Sequence, residues 1–410
     1  MPLWSVAAVA LVVCSLETCL RLGANAPDTR FTLPQFSLGY FWGTPLGWTG
    51  LVGGVPVNRD SVEFSSLVGF FRDQAVPVPP ADNVYVRFSG YALTGAMLAP
   101  IVGQYGGFVL ANVAFWIAAV VATFALAMRK TASAPVALLS AVLVATAPAF
   151  AALAGQALPY VASYSLFVLA LLLFDHLEVF ERETPPLTLA LAGFIAGIGF
   201  LFYDLYMLPA FVVVYGALKR THVRTLLLVL VAMAVPRLVW SGYWQVAHLP
   251  SYSQNEMHPA EALAAWFDSA RLGNGLERVK AYALLAAHGA LNIATGFLFW
   301  PVALAAIELW KRRRTDEARW YVAVLVAGFA PALFMLSTWP HIPRWYAYGF
   351  PAVYMLAAAC ALRLARQRPL VAVLIVIPAV LLANLDVIGY TKPMELLLFQ
   401  PANWSYLWSR

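Results

Sequence analysis

Apolar residues run along this chain in blocks of membrane length rather than in strict alternation. A helix needs roughly 20 predominantly apolar residues to cross a hydrocarbon core. Met1–Leu20 and the blocks at approximately 107–128, 134–153, 159–175, 187–202, 205–218, 225–245, 281–308, 320–337, 347–363 and 370–390 reach or approach that length. The pattern predicts an all-α integral membrane protein, a bundle of about eleven transmembrane helices forming one polytopic domain over 1–410. The first block lacks a basic n-region and contains Glu17, which favours a first span over a cleaved signal peptide. Phe202, Tyr203, Asp204, Leu205 and Tyr206 interrupt the apolar run 187–218, which is too long for one crossing. A carboxylate at the bilayer centre would cost several kcal/mol unless paired or wet. The sequence therefore predicts two short spans with Asp204 at their outer turn.

Three stretches break the apolar series. Residues 22–103 form a long polar and aromatic loop, with amphipathic helices expected in it; 246–280 form a second loop; and 391–410, with Trp404, Tyr406 and Trp408, read as an interfacial tail. Gly39 to Gly54 reads as a re-entrant or surface loop rather than a phosphate cradle. Alternating the spans places Arg129 and Lys130, Arg182, the group Lys219, Arg220 and Arg224, the group Lys311 to Arg314 with Arg319, and the group Arg363, Arg366 and Arg368 on one face. By the positive-inside rule that face is cytoplasmic, and the large first loop faces the extracytoplasmic side. Asp175, Glu178, Glu181 and Glu183 are an acidic exception, but acidic residues weigh little in that rule.

Composition agrees: with 62% hydrophobic residues, 11% charged residues and a mean hydropathy of +0.74, the chain cannot be a soluble globular domain. The net charge of +6 is therefore a topology signal and not a sign of nucleic-acid binding. Cys14, Cys19 and Cys360 all lie in apolar segments, and the six histidines are scattered without metal-ligand spacing, so neither a disulfide framework nor a zinc site is expected. No Walker or dinucleotide pattern is present, which disfavours a nucleotide-driven pump.

The candidate chemistry sits in the first loop, which carries Asp28, Asp60, Glu63, Asp73 and Asp82. Asp60 precedes a helical pattern with Val62, Leu67, Val68 and Phe71 apolar, closed by Pro77, Pro79 and Pro80. Two readings of Asp60 are open and compatible: a catalytic carboxylate, or the cap of that helix with Glu63 three residues on. Asp28 follows Pro27, as a turn residue does, and is the second catalytic candidate. Glu63 and Asp73 have the plainer reading of solvated helix-face residues. Asp204 between two tyrosines is either a structural hydrogen-bonding group or a substrate-facing one. The aromatics Phe36, Tyr40, Phe41, Trp42 and Trp48, with Trp240, Tyr243 and Trp244, suit an interfacial belt as well as stacking on a sugar or prenyl chain.

The run Asp60, Ser61, Val62, Glu63, Phe64, followed by Arg87, Phe88, Ser89, Gly90, Tyr91 and Ala92 and the apolar stretch Ala96 to Gly103, resembles the first extracytoplasmic loop of GT-C-type membrane glycosyltransferases. This group includes bacterial protein mannosyltransferases and lipid A aminoarabinose transferases. Ser89 and Ala92 stand where such enzymes have prolines. The resemblance extends over about 350 residues through Asn112, the Gly193, Gly197 and Asp204 stretch, and Pro340, His341, Ile342, Pro343, Arg344, Trp345 and Tyr346 before a span with Pro351. A second acidic position often found after the third span is absent, since that turn reads Gly155, Gln156, Ala157, Leu158, Pro159, Tyr160.

The resemblance implies a multi-pass protein of the bacterial plasma (inner) membrane whose active site faces outward. It implies transfer of a sugar from a polyprenyl-phosphate donor to a lipid, glycan or protein acceptor. Such a reaction needs a carboxylate to deprotonate or orient the acceptor and cations to hold the phosphate as charge develops on it. Asp60 is the first choice for the carboxylate. Arg344 is the first choice for the phosphate, because a guanidinium presents a planar fork of donors; Arg237, Arg271, Arg278 and Lys280 compete with it. Asp204, Tyr203, Glu63, His341 and Tyr346 complete the candidate substrate contacts. No dedicated cofactor is expected, although one carboxylate pair with substrate phosphate suffices for Mg²⁺ or Mn²⁺ and leaves no spacing signature. The rival readings are a transporter or flippase of lipid-linked intermediates, against which no internal repeat is visible, and a non-catalytic membrane subunit of the same fold.

Overall fold

The computed structural model describes residues 2–24, 50–52, 55–57, 64, 67–68, 71, 88–155, 157–181, 184–246, 263–296, 300–335, 347–367 and 370. Within them the chain is helical apart from one small hairpin. Helix α1 spans Leu3–Ala24, and it packs on the long α3, Gln104–Thr131, through Val6, Ala10 and Cys14. Those three buried residues recur every fourth position, which lines them along one side of a helix. Between α1 and α3 come strands β1, Gly50–Val52, and β2, Val55–Val57, paired antiparallel, and then α2, Ser89–Val102. Within the stretch expected as a surface or re-entrant loop, only Gly50–Val52 is described, paired with Val55–Val57. The end of the expected 22–103 loop holds a helix, α2, lying against α3.

One predicted span is split among the described residues. The block 134–153 becomes α4, Ala134–Ala145, and α5, Pro148–Ala154, because Pro148 lacks a donor N–H and pushes the residue before it out of the helical region. The block 281–308 is described as α11 over Leu276–Gly296 and α12 over Trp300–Arg312, and 297–299 lie outside the described residues. Helix α6 covers Tyr160–His176. The interrupted block resolves as expected: α7, Pro186–Ile198, ends in a 3-10 turn at Gly199–Leu201, and α8 begins only at Met207 and runs to Lys219. The remaining helices are α9, Val223–Val246; the short α10, Ser269–Leu272; α13, Asp316–Met335; and α14, Phe350–Gln367.

Among the described residues three helical stretches are long and apolar enough to cross a membrane: Tyr105–Thr131, Val223–Val246 and Ala347–Gln367. Shorter apolar helices accompany them at Leu3–Cys19, Ser89–Val102, Ala134–Ala145, Tyr160–His176, Pro186–Leu201 and Met207–Lys219. The predicted last span, 370–390, and the tail lie outside the described residues except for Leu370.

Close packing of α7 on α9 follows from two glycines one turn apart. A Cβ at Gly193 would stand 2.5 Å from the Val229 carbonyl oxygen, and one at Gly197 would stand 2.2 Å from that of Met233. Apolar side chains gain little by leaving lipid for one another, so small residues that let backbones approach are a main source of helix association in a membrane. Several polar groups inside the bundle bond internally, as a hydrocarbon setting favours. Trp116 Nε1 donates to the Val144 carbonyl at 2.9 Å, and Ser165 Oγ to that of Phe115 at 2.6 Å, tying α3 to α4 and α6.

The basic clusters of successive connections meet at one end of the bundle. Asp175 at the end of α6 pairs with both Arg129 and Lys130 at the end of α3, and Lys130 lies over the Trp320 ring of α13. Lys219 pairs with Glu181 at 3.2 Å. Buried Glu308 of α12 receives Arg312 at 2.8 Å and Arg363 of α14 at 2.7 Å. These described basic groups thus share one end of the bundle.

Candidate functional site

The opposite end is capped by an aromatic cluster to which the first loop contributes. Phe64, Leu67 and Val68 are helical and fully buried, and Phe71 packs against them. Their spacing is that of one helix face, as the pattern after Asp60 predicted. They share this cluster with Phe88, Tyr91 and Ala92 of the α2 entry, Phe108 of α3, Ala157 before α6, and Trp244 of α9. Phe64 meets the Tyr91 ring edge-on at 5.2 Å, and Tyr91 stacks on Phe108 at 4.8 Å. The Tyr91 hydroxyl donates to Asn112 Oδ1 at 3.2 Å, so Asn112 holds a buried tyrosine in place.

At the rim of this cluster lies the break between α7 and α8. Tyr203 and Asp204 occupy it, both half-buried, in backbone that belongs to neither helix. Tyr203 stacks obliquely on Phe88, with ring centroids 5.0 Å apart, and its hydroxyl donates to that of Tyr160 at 3.3 Å. Arg237, half-buried on α9, reaches the same place. Its Nη1 donates to the Phe200 carbonyl at 3.2 Å, and its guanidinium carbon stands 5.5 Å from the centroid of the Phe88 ring. The carbonyls at the end of a helix lack intrahelical partners, and a cation over an aromatic face is attracted by the ring quadrupole. These two contacts alone account for an arginine here. They also place a planar cation against Phe88, the ring on which Tyr203 packs. Trp240 and Trp244 continue the same face of α9 past Arg237.

Of the sequence-predicted site residues, Tyr203 and Arg237 therefore meet at Phe88, and Asp204 follows Tyr203 in the break. Asp60, Asp28, Glu63, Arg344, His341 and Tyr346 lie outside the described residues. So does the side chain of Arg271; Arg278 is turned to local structure, donating to the Gly273 carbonyl at 3.0 Å. The chain on the far side of Tyr346 is described. Ala347 and Tyr348 are buried, and the Tyr348 hydroxyl and Ser163 Oγ are 2.5 Å apart, one turn along α6 from Tyr160. Among the described residues no three His, Cys, Asp or Glu side chains converge as a metal centre, and no step below is routed through a metal.

No family model matches this chain, and no curated protein matches it. Solved structures do. The chain is similar to ArnT from Cupriavidus metallidurans bound to undecaprenyl phosphate, with a TM-score of 0.55 and 16% identity over 90% of this chain and 61% of that one. The apo form of the same protein gives 0.51 and 14% over 78% and 57%. The Archaeoglobus fulgidus oligosaccharyltransferase, in complex with Zn and sulfate, gives 0.51 and 12% over 93% and 53%. The chain has a GT-C-like fold. It spans between 53% and 61% of the length of these solved structures.

The GT-C-like fold gives a place to two residues that sequence reasoning did not select. Tyr160 was read only as the end of a turn lacking an acid, yet it bonds Tyr203 from 43 positions away. Ser163 meets Tyr348 across 185 positions. Neither pairing leaves a local signal, since each residue is an ordinary polar interruption at the start of its own helix. The turn without a second acid is explained in space: Ala157 and Leu158 are fully buried, so that position is part of the packing and not a polar rim.

Proposed function

We propose that this chain is a membrane glycosyltransferase that transfers a sugar from a polyprenyl-phosphate donor to a lipid, glycan or protein acceptor at the face opposite the basic clusters. The single observation that carries the reading is convergence. Within a GT-C-like fold, the helix face that follows Asp60, the Tyr203 and Asp204 break, and Arg237 all meet in one aromatic cluster at that face. The segment that follows Arg344 is tethered by Tyr348 to the same part of α6.

In this reading Asp60, with Asp28 as the alternative, accepts the proton of the acceptor hydroxyl or amine. The acceptor atom forms its bond to the anomeric carbon as the bond from that carbon to the phosphate oxygen breaks, and the electron pair stays on the polyprenyl phosphate. Arg344 and Arg237 hold that phosphate, because fixed guanidinium donors aimed at a growing charge stabilise it without reorganising. In the same proposal His341, Tyr346 and Glu63 contact the sugar or acceptor. Asp204 and Tyr203 orient the sugar, and the surrounding aromatic surface takes the first isoprene units. The proposed setting is the bacterial inner membrane, with about eleven crossings.

The experiment is transfer of radiolabelled sugar from a panel of polyprenyl-phosphate sugars by purified protein in lipid, with membrane extract as acceptor. Label transfer lost in Asp60→Asn establishes the enzyme and names the donor. Movement of lipid-linked sugar across the bilayer without transfer would replace this reading by that of a flippase, and the absence of both by that of a non-catalytic subunit.

A further inference from the structure

The basic end of the bundle holds a cavity of 810 Å³ that the glycosyl-transfer reading does not use. It opens among the ends of α3, α6 and α8, the 178–181 turn and the start of α13. Phe108 of the aromatic cluster and Arg129 of this cavity lie on the same helix, 21 residues apart, so roughly 30 Å separates the two sites along its axis.

The cavity's walls divide by chemistry. Phe180, Phe211, Tyr215 and Trp320 supply an aromatic floor, and Arg129, Lys130, Lys219 and Arg220 supply cations. Asp175, Glu178 and Glu181 stand against them, leaving the lining net positive before His222 is counted. The acidic partners are unevenly shared: Asp175 alone serves both Arg129 and Lys130, Glu181 serves Lys219, and Arg220 has no ion pair among the described residues. Arg220 is also held in left-handed backbone, at φ 57°, where α8 ends, and Glu178 across the cavity is held likewise at φ 52°. Side chains other than glycine pay a strain cost there, and these are two of the three such residues among those described.

A cavity of this volume lies in the range of small-ligand sites, larger than one inorganic anion needs. We propose that it binds a phosphate-bearing anion with an organic portion, the phosphate on Lys219 and Arg220 and the organic part against Phe211, Tyr215 and Trp320. Two sources share that chemistry: the headgroup of an anionic phospholipid and a soluble phosphate ester. Basic pockets at helix ends suit the first, and the aromatic floor accepts either.

The test uses the full chain purified in neutral detergent. Native mass spectrometry counts retained phosphatidylglycerol against phosphatidylcholine, and calorimetric titration with glycerol 3-phosphate probes the soluble source. Preferential retention of phosphatidylglycerol, weakened about tenfold in Lys219→Ala/Arg220→Ala, supports the lipid; heat from glycerol 3-phosphate alone, lost in the same variant, supports the soluble ester. Arg313→Ala, on the same basic side but stacked on Trp310 at 4.3 Å and outside the cavity, should bind as wild type. Asp175→Asn, which releases two cations, should bind more tightly and so cannot be confused with loss of folding. Wild type that binds neither probe, or variants that all bind like wild type, would overturn the proposal.

Discussion

Replacing Gly197 with alanine should drive α7 and α9 apart. The added Cβ would meet the Met233 carbonyl oxygen at 2.2 Å and its carbon at 2.8 Å, both backbone atoms that no rotamer change can move. Raising 2.2 Å to the 3.4 Å at which ordinary contact begins requires about 1.2 Å of separation, well above what close-packed helices absorb. Overpacking of this kind costs about 1–3 kcal/mol. Alanine recovers up to about 1 kcal/mol of helix propensity relative to glycine, so a displacement at the upper end of that range, about 2–3 kcal/mol, leaves a net loss of about 1–2 kcal/mol. Gly193→Ala meets the Val229 oxygen at 2.5 Å and should cost somewhat less; the two share one interface and will not add.

Gly242 supplies the control, because it lies on α9 itself with nothing within 4 Å of its would-be Cβ. Gly242→Ala should therefore be neutral or stabilise by up to about 1 kcal/mol. The assay is thermal unfolding in a fixed detergent, followed by tryptophan fluorescence. Gly197→Ala should lower the midpoint by a few degrees, on the order of 2–6 °C, while Gly242→Ala holds or raises it. Equal midpoints for wild type and Gly193→Ala/Gly197→Ala, or an equal drop for Gly242→Ala, would refute a glycine-dependent contact between these helices.

Other outcomes are equally specific. Glu308→Gln leaves Arg312 and Arg363 facing a neutral group; each arginine keeps about a quarter of its side-chain surface exposed, so the loss should be about 2–3 kcal/mol, below the fully buried case, read as a lower unfolding midpoint. Tyr203→Phe removes one part-buried hydroxyl bond to Tyr160 and should cost about 1 kcal/mol; under the proposed function it should also raise KM for the donor more than it lowers kcat. Arg237→Lys keeps the charge but not the planar fork, so transfer should fall about tenfold or more while the protein stays folded; unchanged transfer would remove Arg237 from the phosphate site. Ser163→Ala unties Tyr348 and should reduce transfer through loss of position, an effect that Ser163→Thr should partly rescue if the hydroxyl is what matters.

The helices were legible where their signal is local. The break at Phe202 to Tyr206 was readable because a carboxylate between tyrosines cannot be placed at the middle of a bilayer, and the structure divides α7 from α8 there. The face after Asp60 was readable from Leu67, Val68 and Phe71, and the described members of it are buried or packed. By contrast, the division at Pro148 carried an available signal that hydropathy overrode: a continuous apolar run is scored by length, whereas proline acts on a single hydrogen bond. The hairpin at Gly50 to Val57 escaped because each strand is only three residues long, too short for alternation to register.

The site was legible in residue type but not in partnership, and the reason is physical. In a membrane bundle the hydrophobic face of a helix does not say which neighbour it chooses, since lipid and protein are similarly apolar; small residues and internal polar bonds make the choice. Gly193 and Gly197 bring α9 against α7, and that contact delivers Arg237 to the Phe200 carbonyl at the break. Tyr160 then fixes Tyr203 from a third helix. The position of the arginine at the break is thus a consequence of two glycines lying a turn or more away from it. On this reasoning a glycine substitution that spares stability in a thickened or stabilising lipid should still lower transfer, because the interface and the site are set by the same close approach of α9 to Gly193 and Gly197.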